Sequence, residues 1–156
     1  MFKLMTVGIN LQHHQRTLRS RSMHIRVYGD PAPQGSKTAR VVNGHVVMWE
    51  SSKKLPGWRE SVVMAAKVSF MENGRQQMLG PVTLTCTFYM PRPKSVSRKY
   101  PNTMPDLDKL LRGIGDALQV AGVISNDGQI VSIEAHKVYS ETPGDNGVEI
   151  WLTKKQ

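Results

Sequence analysis

The chain has 156 residues, a formal net charge of +9 at pH 7 and 39% hydrophobic residues, with a mean hydropathy of −0.37. These values are typical of one folded, soluble domain and exclude a disordered or fibrous chain. No stretch approaches the roughly 20 apolar residues of a membrane-spanning helix, and the N-terminus lacks the features of a secretory signal. The single cysteine, Cys86, cannot form an internal disulfide. We therefore expect a protein of the reducing cytoplasm, with Cys86 as a small buried hydrophobic residue.

The charges are distributed unevenly along the chain. Residues 1–100 carry 16 Lys and Arg against 4 Asp and Glu, whereas residues 101–156 carry 5 against 8. A basic body attracts a polyanion, and nucleic acid is the commonest one. Because an acidic segment facing a polyanion repels it unless cations intervene, the pattern suggests a metal site in the second segment.

The first half of the chain predicts strands and one helix. An alternating segment at residues 23–28 predicts a strand, and two apolar runs around Asn43-Gly44 predict a hairpin at residues 40–49. An apolar stripe at helical spacing predicts a helix at about residues 55–72. Residues 1–22 are basic and without acids; they are interpreted as a flexible extension or upstream start ahead of Met23, or as a basic arm on DNA.

The second half continues the pattern. Residues 82–90 predict a strand, leucines at helical spacing predict a helix at residues 107–120, and residues 130–139 and 148–152 predict two final strands. The predicted order is β-β(hairpin)-α-β-α-β-β, which is an α+β fold. Between strand and helix lies an unusually basic loop, and four of its side chains are candidate contacts for the DNA backbone: Arg92, Lys94, Arg98 and Lys99.

Three aspartates are the candidate metal ligands. A helix over residues 107–120 is roughly 21 Å long, and the seven steps from Val120 to Asp127 can cover roughly 23 Å if nearly extended. A chain reversal at Gly122 would then return Asp127 to the helix start beside Asp106 and Asp108. Carboxylate oxygens favour Mg²⁺, with Mn²⁺ as a substitute. Taken singly, Asp106 is equally a helix cap and Asp127 a turn residue.

A cation shares one helix face with two of the acids. Asp108, Arg112 and Asp116 lie four residues apart, so they project on one side of the helix. Arg112 is interpreted either as an ion-pair partner or as a cation that stabilises charge on a phosphate during reaction. Gly113 and Gly115 inside the helix predict a close approach by another backbone, from this chain, a second subunit or the substrate.

At these residues the sequence resembles the RusA family of Holliday junction resolvases. The separation of Asp106 and Asp127 is 21 residues, as in the family. The matching segments are Pro105-Asp106-Leu107-Asp108, Leu110, Asp116-Ala117-Leu118, Ala121-Gly122, Asp127, Gln129-Ile130-Val131 and Lys137, with Gly29 to Pro33 and Gly35-Ser36-Lys37 near the start. The resemblance covers about residues 23–152 and implies a single RusA-like domain, residues 23–156, with a mixed sheet and two main helices.

The resemblance also implies an activity. It implies a homodimeric, Mg²⁺-dependent endonuclease that cuts opposed strands of four-way or branched DNA and leaves 5′-phosphate and 3′-hydroxyl ends, in a bacterial or phage-infected cytoplasm. The implied metal ligands are Asp106, Asp108 and Asp127, with Asp116 as a fourth candidate. The implied catalytic cation is Arg112, and Lys137 is the alternative for offsetting charge in the transition state. Further implied DNA contacts are Lys37, Lys109 and Lys137.

Three positions depart from the family pattern, which usually has lysine at Arg112, asparagine at Lys109 and aspartate at Asn126. These changes leave two alternatives open: a non-catalytic junction-binding protein of the same fold, or a nuclease for other branched DNA. A basic structural or RNA-binding protein is a further alternative, but it leaves the spacing of the aspartates unexplained.

Overall fold

The structure is a computed structural model that describes residues 22–35, 37–50 and 53–155. Within these residues the chain follows the predicted α+β order. The elements are β1 (Ser22–Tyr28), β2 (Lys37–Val42), β3 (His45–Glu50), α1 (Leu55–Glu72), β4 (Val82–Met90), α2 (Leu107–Val120), a single 3₁₀ turn (Asp127–Gln129), β5 (Ile130–Tyr139) and β6 (Gly147–Lys154).

Four of the strands form one mixed sheet in the order β1-β6-β4-β5. β4 and β5 are parallel, because α2 lies between them in the chain and provides the long connection that a parallel pair needs. β6 runs antiparallel to both β1 and β4. The loop before α2 and the turn before β5 therefore lie near opposite ends of α2.

β2 and β3 form a separate two-stranded hairpin. Its two central residues, Asn43 and Gly44, have φ values of 52° and 78°, which is the backbone that a tight hairpin turn requires and that these two residues tolerate best. The hairpin was predicted from this Asn-Gly pair and is confirmed.

The sheet buries one face. β4 alternates strictly, with every second side chain buried, as expected when one face of a sheet packs on helices. The two helices pack the apolar faces predicted from the sequence against the sheet. Sheet and helices therefore share one core, which includes Val62, Phe88, Leu110, Ile114, Leu118 and Ile150. Cys86 lies in this core, and burial raises its thiol pKa to about 12, so the thiol is inert at neutral pH.

Within the described residues, neither helix combines the length and the apolar character needed to cross a membrane.

Candidate active site at the start of α2

Two carboxylates lie at the N-terminal end of α2. Asp106 has an extended backbone, with φ −69° and ψ 141°, and Asp108 lies in the first turn. The positive end of the helix dipole stabilises both charges. Asp106 makes no capping hydrogen bond; its Oδ2 instead lies 2.8 Å from Nζ of Lys109. This ion pair lowers the pKa of Asp106 and raises that of Lys109, so the carboxyl group is ionised at neutral pH.

Lys137 fixes the backbone that leads into these carboxylates. Its Nζ donates hydrogen bonds of 2.7 Å to the carbonyl oxygens of both Thr103 and Pro105. Burial lowers the pKa of Lys137, and the nearby carboxylate of Asp106 partly opposes this effect. Lys137 therefore brings a positive charge close to Asp106 while holding the preceding loop in place.

Arg112 lies on the same face of α2 as Asp108, one turn further along, and the loop before β2 packs against it. A Cβ atom added to Gly35 would lie 2.6 Å from Nη1 of Arg112, so a side chain at this position would force the guanidinium group to move. Among the ion pairs of the described residues, none joins Arg112 to Asp108 or Asp116. The ion-pair interpretation of Arg112 is therefore not supported by the structure.

Asp116 has partners of its own. Its Oδ2 accepts a hydrogen bond from Nε2 of Gln34 and lies 3.9 Å from Nη2 of Arg59. The main-chain N–H of Gln34 also donates to the carbonyl oxygen of Lys109. Asp116 thus joins the loop of residues 29–35 to α2. No pattern in the sequence identified Gln34, because an isolated glutamine in a loop has no recognisable spacing.

Asp127 packs against the second half of α2. Its main-chain N–H donates to Oε1 of Gln119 at 3.1 Å, and a Cβ atom on Gly115 would lie 3.7 Å from the Asp127 Cβ. Because Gly115 is seven residues beyond Asp108, this contact lies about 10 Å further along the helix axis. Asp127 therefore packs against the face of α2 that carries Asp108 and Arg112, but it does not lie at the N-terminal end of that helix.

The predicted meeting of three carboxylates at the helix start is therefore wrong in its geometry. The distance estimate assumed a nearly extended return from Val120. Instead Ala121 and Gly122 form a turn, and a main-chain hydrogen bond of 3.1 Å returns Val123 to Leu118. These residues advance little, so Asp127 lies beside Gly115, about two turns along α2 from Asp108.

The donor set still suits one hard cation. Within the described residues, no group of three or more His, Cys, Asp or Glu side chains is arranged to hold a metal ion. Mg²⁺, however, is usually held by one or two carboxylates and completes its shell with water and substrate phosphates. The pair Asp106 and Asp108 fits that pattern, whereas a closed pocket of three carboxylates is not formed.

The basic loop between β4 and α2 is held by its own arginines. Arg92 stacks on the ring of Tyr139 at 4.4 Å, and Nε of Arg98 donates to the Tyr139 hydroxyl at 2.9 Å. Lys94 and Lys99 are exposed on the same loop. The predicted contact at Lys37 lies at the start of β2, and its side chain is outside the described part of the protein.

The sequence pattern of the family described as Endodeoxyribonuclease RusA matches residues 29–153, which is most of the chain and includes the whole site. The protein belongs to the RusA family. A relative, the uncharacterized protein YqaN of Bacillus subtilis strain 168, is 32% identical over 129 residues, covering 75% of this chain and 87% of YqaN. RusA membership indicates an endodeoxyribonuclease, that is, a phosphodiester hydrolase that acts on DNA.

Asn126, one of the three positions noted in the sequence analysis, has a structural role here. Oδ1 of Asn126 accepts a hydrogen bond of 2.7 Å from the N–H of Gly128. The Gln129 side chain bonds back to the Asn126 N–H, so the two residues cap the 3₁₀ turn reciprocally. Asn126 therefore positions Asp127 rather than supplying a charge.

Proposed function

We propose that this RusA-family protein is a Mg²⁺-dependent endonuclease that resolves four-way DNA junctions by paired phosphodiester hydrolysis. The observation that carries the proposal is the pair Asp106 and Asp108 at the positive end of α2, with cations beside it, in a chain that matches the family over residues 29–153. Mn²⁺ is expected to substitute for Mg²⁺.

Asp106 and Asp108 would hold the metal ion, which supplies Lewis-acid charge to the phosphate and makes water a better nucleophile at neutral pH. Arg112 would face the same phosphate, because it lies one turn further along the face of Asp108. Its guanidinium group cannot release a proton at ordinary pH, so it stabilises charge and does not act as an acid.

Asp127 lies further along the same face, in contact with Gly115 and Gln119. A DNA strand that follows this face of α2 would meet Asp108, Arg112 and Asp127 in that order. We assign Asp127 the role of orienting water or the neighbouring part of the DNA strand. Asp116 supports the loop of residues 29–35 through its hydrogen bond with Gln34.

Paired cutting requires two equivalent sites. A four-way junction has approximate two-fold symmetry, and a two-fold homodimer presents one site to each of two opposed strands. We therefore propose a homodimer, acting in the cytoplasm of a bacterial or phage-infected cell, in which Lys37 and the exposed Lys94 and Lys99 contribute contacts to the DNA backbone.

A labelled four-way junction tests the proposal. The protein should introduce symmetric nicks that DNA ligase reseals, and only when Mg²⁺ or Mn²⁺ is present. Asp108→Asn should abolish cutting, a loss on the order of 100-fold or more for a group that acts in the transition state, while junction binding is retained. Glu72→Gln, which removes an exposed carboxylate at the end of α1, is the matched control. Unchanged cutting by Asp108→Asn would end the assignment.

One observation favours a second candidate, a junction-binding protein that does not cut. The ammonium group of Lys109 occupies an oxygen of Asp106 at 2.8 Å and competes with any metal ion there. The same assay separates the two, since this candidate binds junctions without nicking them at any Mg²⁺ concentration. Cutting of forks or flaps in preference to four-way junctions would instead identify a nuclease for other branched DNA.

A further inference from the structure

A cleft of about 400 Å³ opens directly beside the start of α2. Its volume falls within the roughly 300–1,000 Å³ of pockets that hold small organic groups. The walls are mainly apolar, and several are proline rings, which need no hydrogen-bond partner. The residues that matter for its chemistry are Pro33, Pro91, Met90, Met104, Pro105 and Tyr139.

Cations lie around this apolar space. Lys54, Arg98 and Lys137 are part of the lining, and the carboxylate of Asp30, also in the lining, is offset by Lys54 at 3.6 Å. An apolar cleft edged by positive charge is complementary to a flat, weakly polar group attached to a phosphate. A nucleotide of DNA has this construction.

The cleft adjoins the carboxylate pair. Pro105 lines the cleft and immediately precedes Asp106, and Lys137 lines it while hydrogen bonding to the Pro105 carbonyl oxygen. A base within the cleft would therefore place its own phosphate, or the adjacent one, close to Asp106. The cleft and Asp106 would need to be separated by no more than the distance between a base and the phosphate of its own nucleotide.

The walls are held in position without a ligand. Tyr139 is only 8% exposed, with Arg92 over its ring and Arg98 bonded to its hydroxyl. Nη2 of Arg98 also donates to Oγ1 of Thr103 at 3.3 Å. Because these groups are already fixed, binding would cost little conformational entropy in the cleft itself.

We propose that this cleft receives one DNA base that has unstacked from the duplex beside the scissile phosphate. The inference rests on the proposed function, since extruding a base costs least where its pairing is already disturbed, and a branch point interrupts the regular duplex. The hydrophobic walls replace the lost stacking, and the cations hold the flanking backbone.

Met104 completes the cleft at its rim. It lines the cleft, is 79% exposed although it is a large apolar residue, and precedes Asp106 by two residues in the chain. Exposed methionines and other apolar side chains inserted between base steps are a known means of unstacking DNA. We therefore assign one of two roles to the Met104 side chain. It fills the gap that the extruded base leaves in the stack, or it packs on the face of the base that the cleft leaves exposed.

The test places 2-aminopurine, whose fluorescence is quenched by stacking, at each position next to the crossover in turn. The junction is bound by the Asp108→Asn protein in Mg²⁺, so that the DNA stays intact. At one position the fluorescence should rise several-fold on binding, and Met104→Ala in the same background should lose most of that rise. Met71→Ala removes another exposed methionine, at 58%, on α1 and should leave the rise unchanged.

Junction binding, measured in parallel by fluorescence anisotropy, distinguishes failure of the cleft assignment from failure of the proposed function. Tight junction binding without a rise at any position would overturn the cleft assignment and leave the resolvase proposal standing. No preference for a junction over linear duplex would overturn both. An abasic nucleotide at the responding position should make wild-type and Met104→Ala proteins bind equally, and a persisting difference would contradict a role for Met104 in holding the base.

Discussion

Lys109 controls the availability of Asp106. The ion pair keeps the pKa of Asp106 below its ordinary value of 3.8, so its contribution to stability is present at neutral pH and lost as the pH falls through that lowered pKa. The same contact sets a competitor against any cation at the carboxylate. A positively charged residue at this position should therefore reduce metal affinity without changing which residues bind the metal.

Replacing Lys109 by asparagine should make the protein easier to activate. We expect Lys109→Asn to cut junctions at a several-fold lower Mg²⁺ concentration, and an NMR titration should show the pKa of Asp106 rising towards its ordinary value. Lys67→Asn, which removes an exposed lysine from α1, should alter neither. An unchanged or higher Mg²⁺ requirement in Lys109→Asn would place the metal away from Asp106.

Replacement of Gly35 should lower both stability and cleavage. Its φ of +110° strains any side chain, and a Cβ would also displace Arg112. Gly35→Ala should cost on the order of 1–3 kcal/mol of stability and reduce cleavage. Gly74→Ala has φ +72° but no atom within 4 Å of the added Cβ. It should cost similar stability in urea unfolding and leave cleavage intact, so an equal loss of cleavage in both would remove the role given to Arg112.

At the scale of elements, the 3₁₀ turn determines where Asp127 lies. Gln129 donates to the carbonyl oxygens of Met78 and Gly80 at 2.8 and 2.9 Å, while its Oε1 accepts from Ser125 and Asn126. The turn is thus fixed to the segment before β4 and not to the start of α2. This attachment explains why Asp127 remains beside Gly115.

The Asn126 cap can be tested by two substitutions. Asn126→Ala removes the acceptor for the Gly128 N–H and should destabilise the protein by about 0.5–2 kcal/mol. Asn126→Asp keeps an acceptor oxygen in the same place and should unfold at nearly the wild-type urea concentration. Equal losses in the two variants would show that the side-chain oxygen is not what holds the turn.

The elements themselves could be predicted from the sequence because local periodicity determines them. The helix at 55–72, the strand at 82–90 and the Asn43-Gly44 hairpin agree with α1, β4 and β2–β3. The position of Asp127 relative to Asp106 could not be predicted correctly, because it depends on the path of residues 121–126. That path is set by long-range bonds such as the one from the Met78 N–H to the Val123 carbonyl oxygen. The Gln34–Asp116 contact is equally long-range.

At the scale of the whole molecule, charge governs DNA binding. The net charge of +9 predicts junction affinity that falls steeply with salt, by a logarithmic slope of about −0.9 for each phosphate neutralised. The double variant Lys94→Ala, Lys99→Ala should make this slope shallower by about 2, one for each lost contact. Lys67→Ala on α1 should leave it unchanged. A slope that does not move in the double variant would exclude the basic loop from the DNA interface.

The central claim is that the reaction takes place at Asp106 and Asp108, at the N-terminal end of α2. Paramagnetic broadening by Mn²⁺ tests it most directly, with NMR spectra of the protein bound to a junction whose scissile phosphate resists cleavage. Amide signals of residues 106–109 should broaden first, Mg²⁺ should restore them, and Asp108→Asn should suppress the effect. Broadening that begins at residues 126–129, or that spreads evenly over the surface, would contradict the claim.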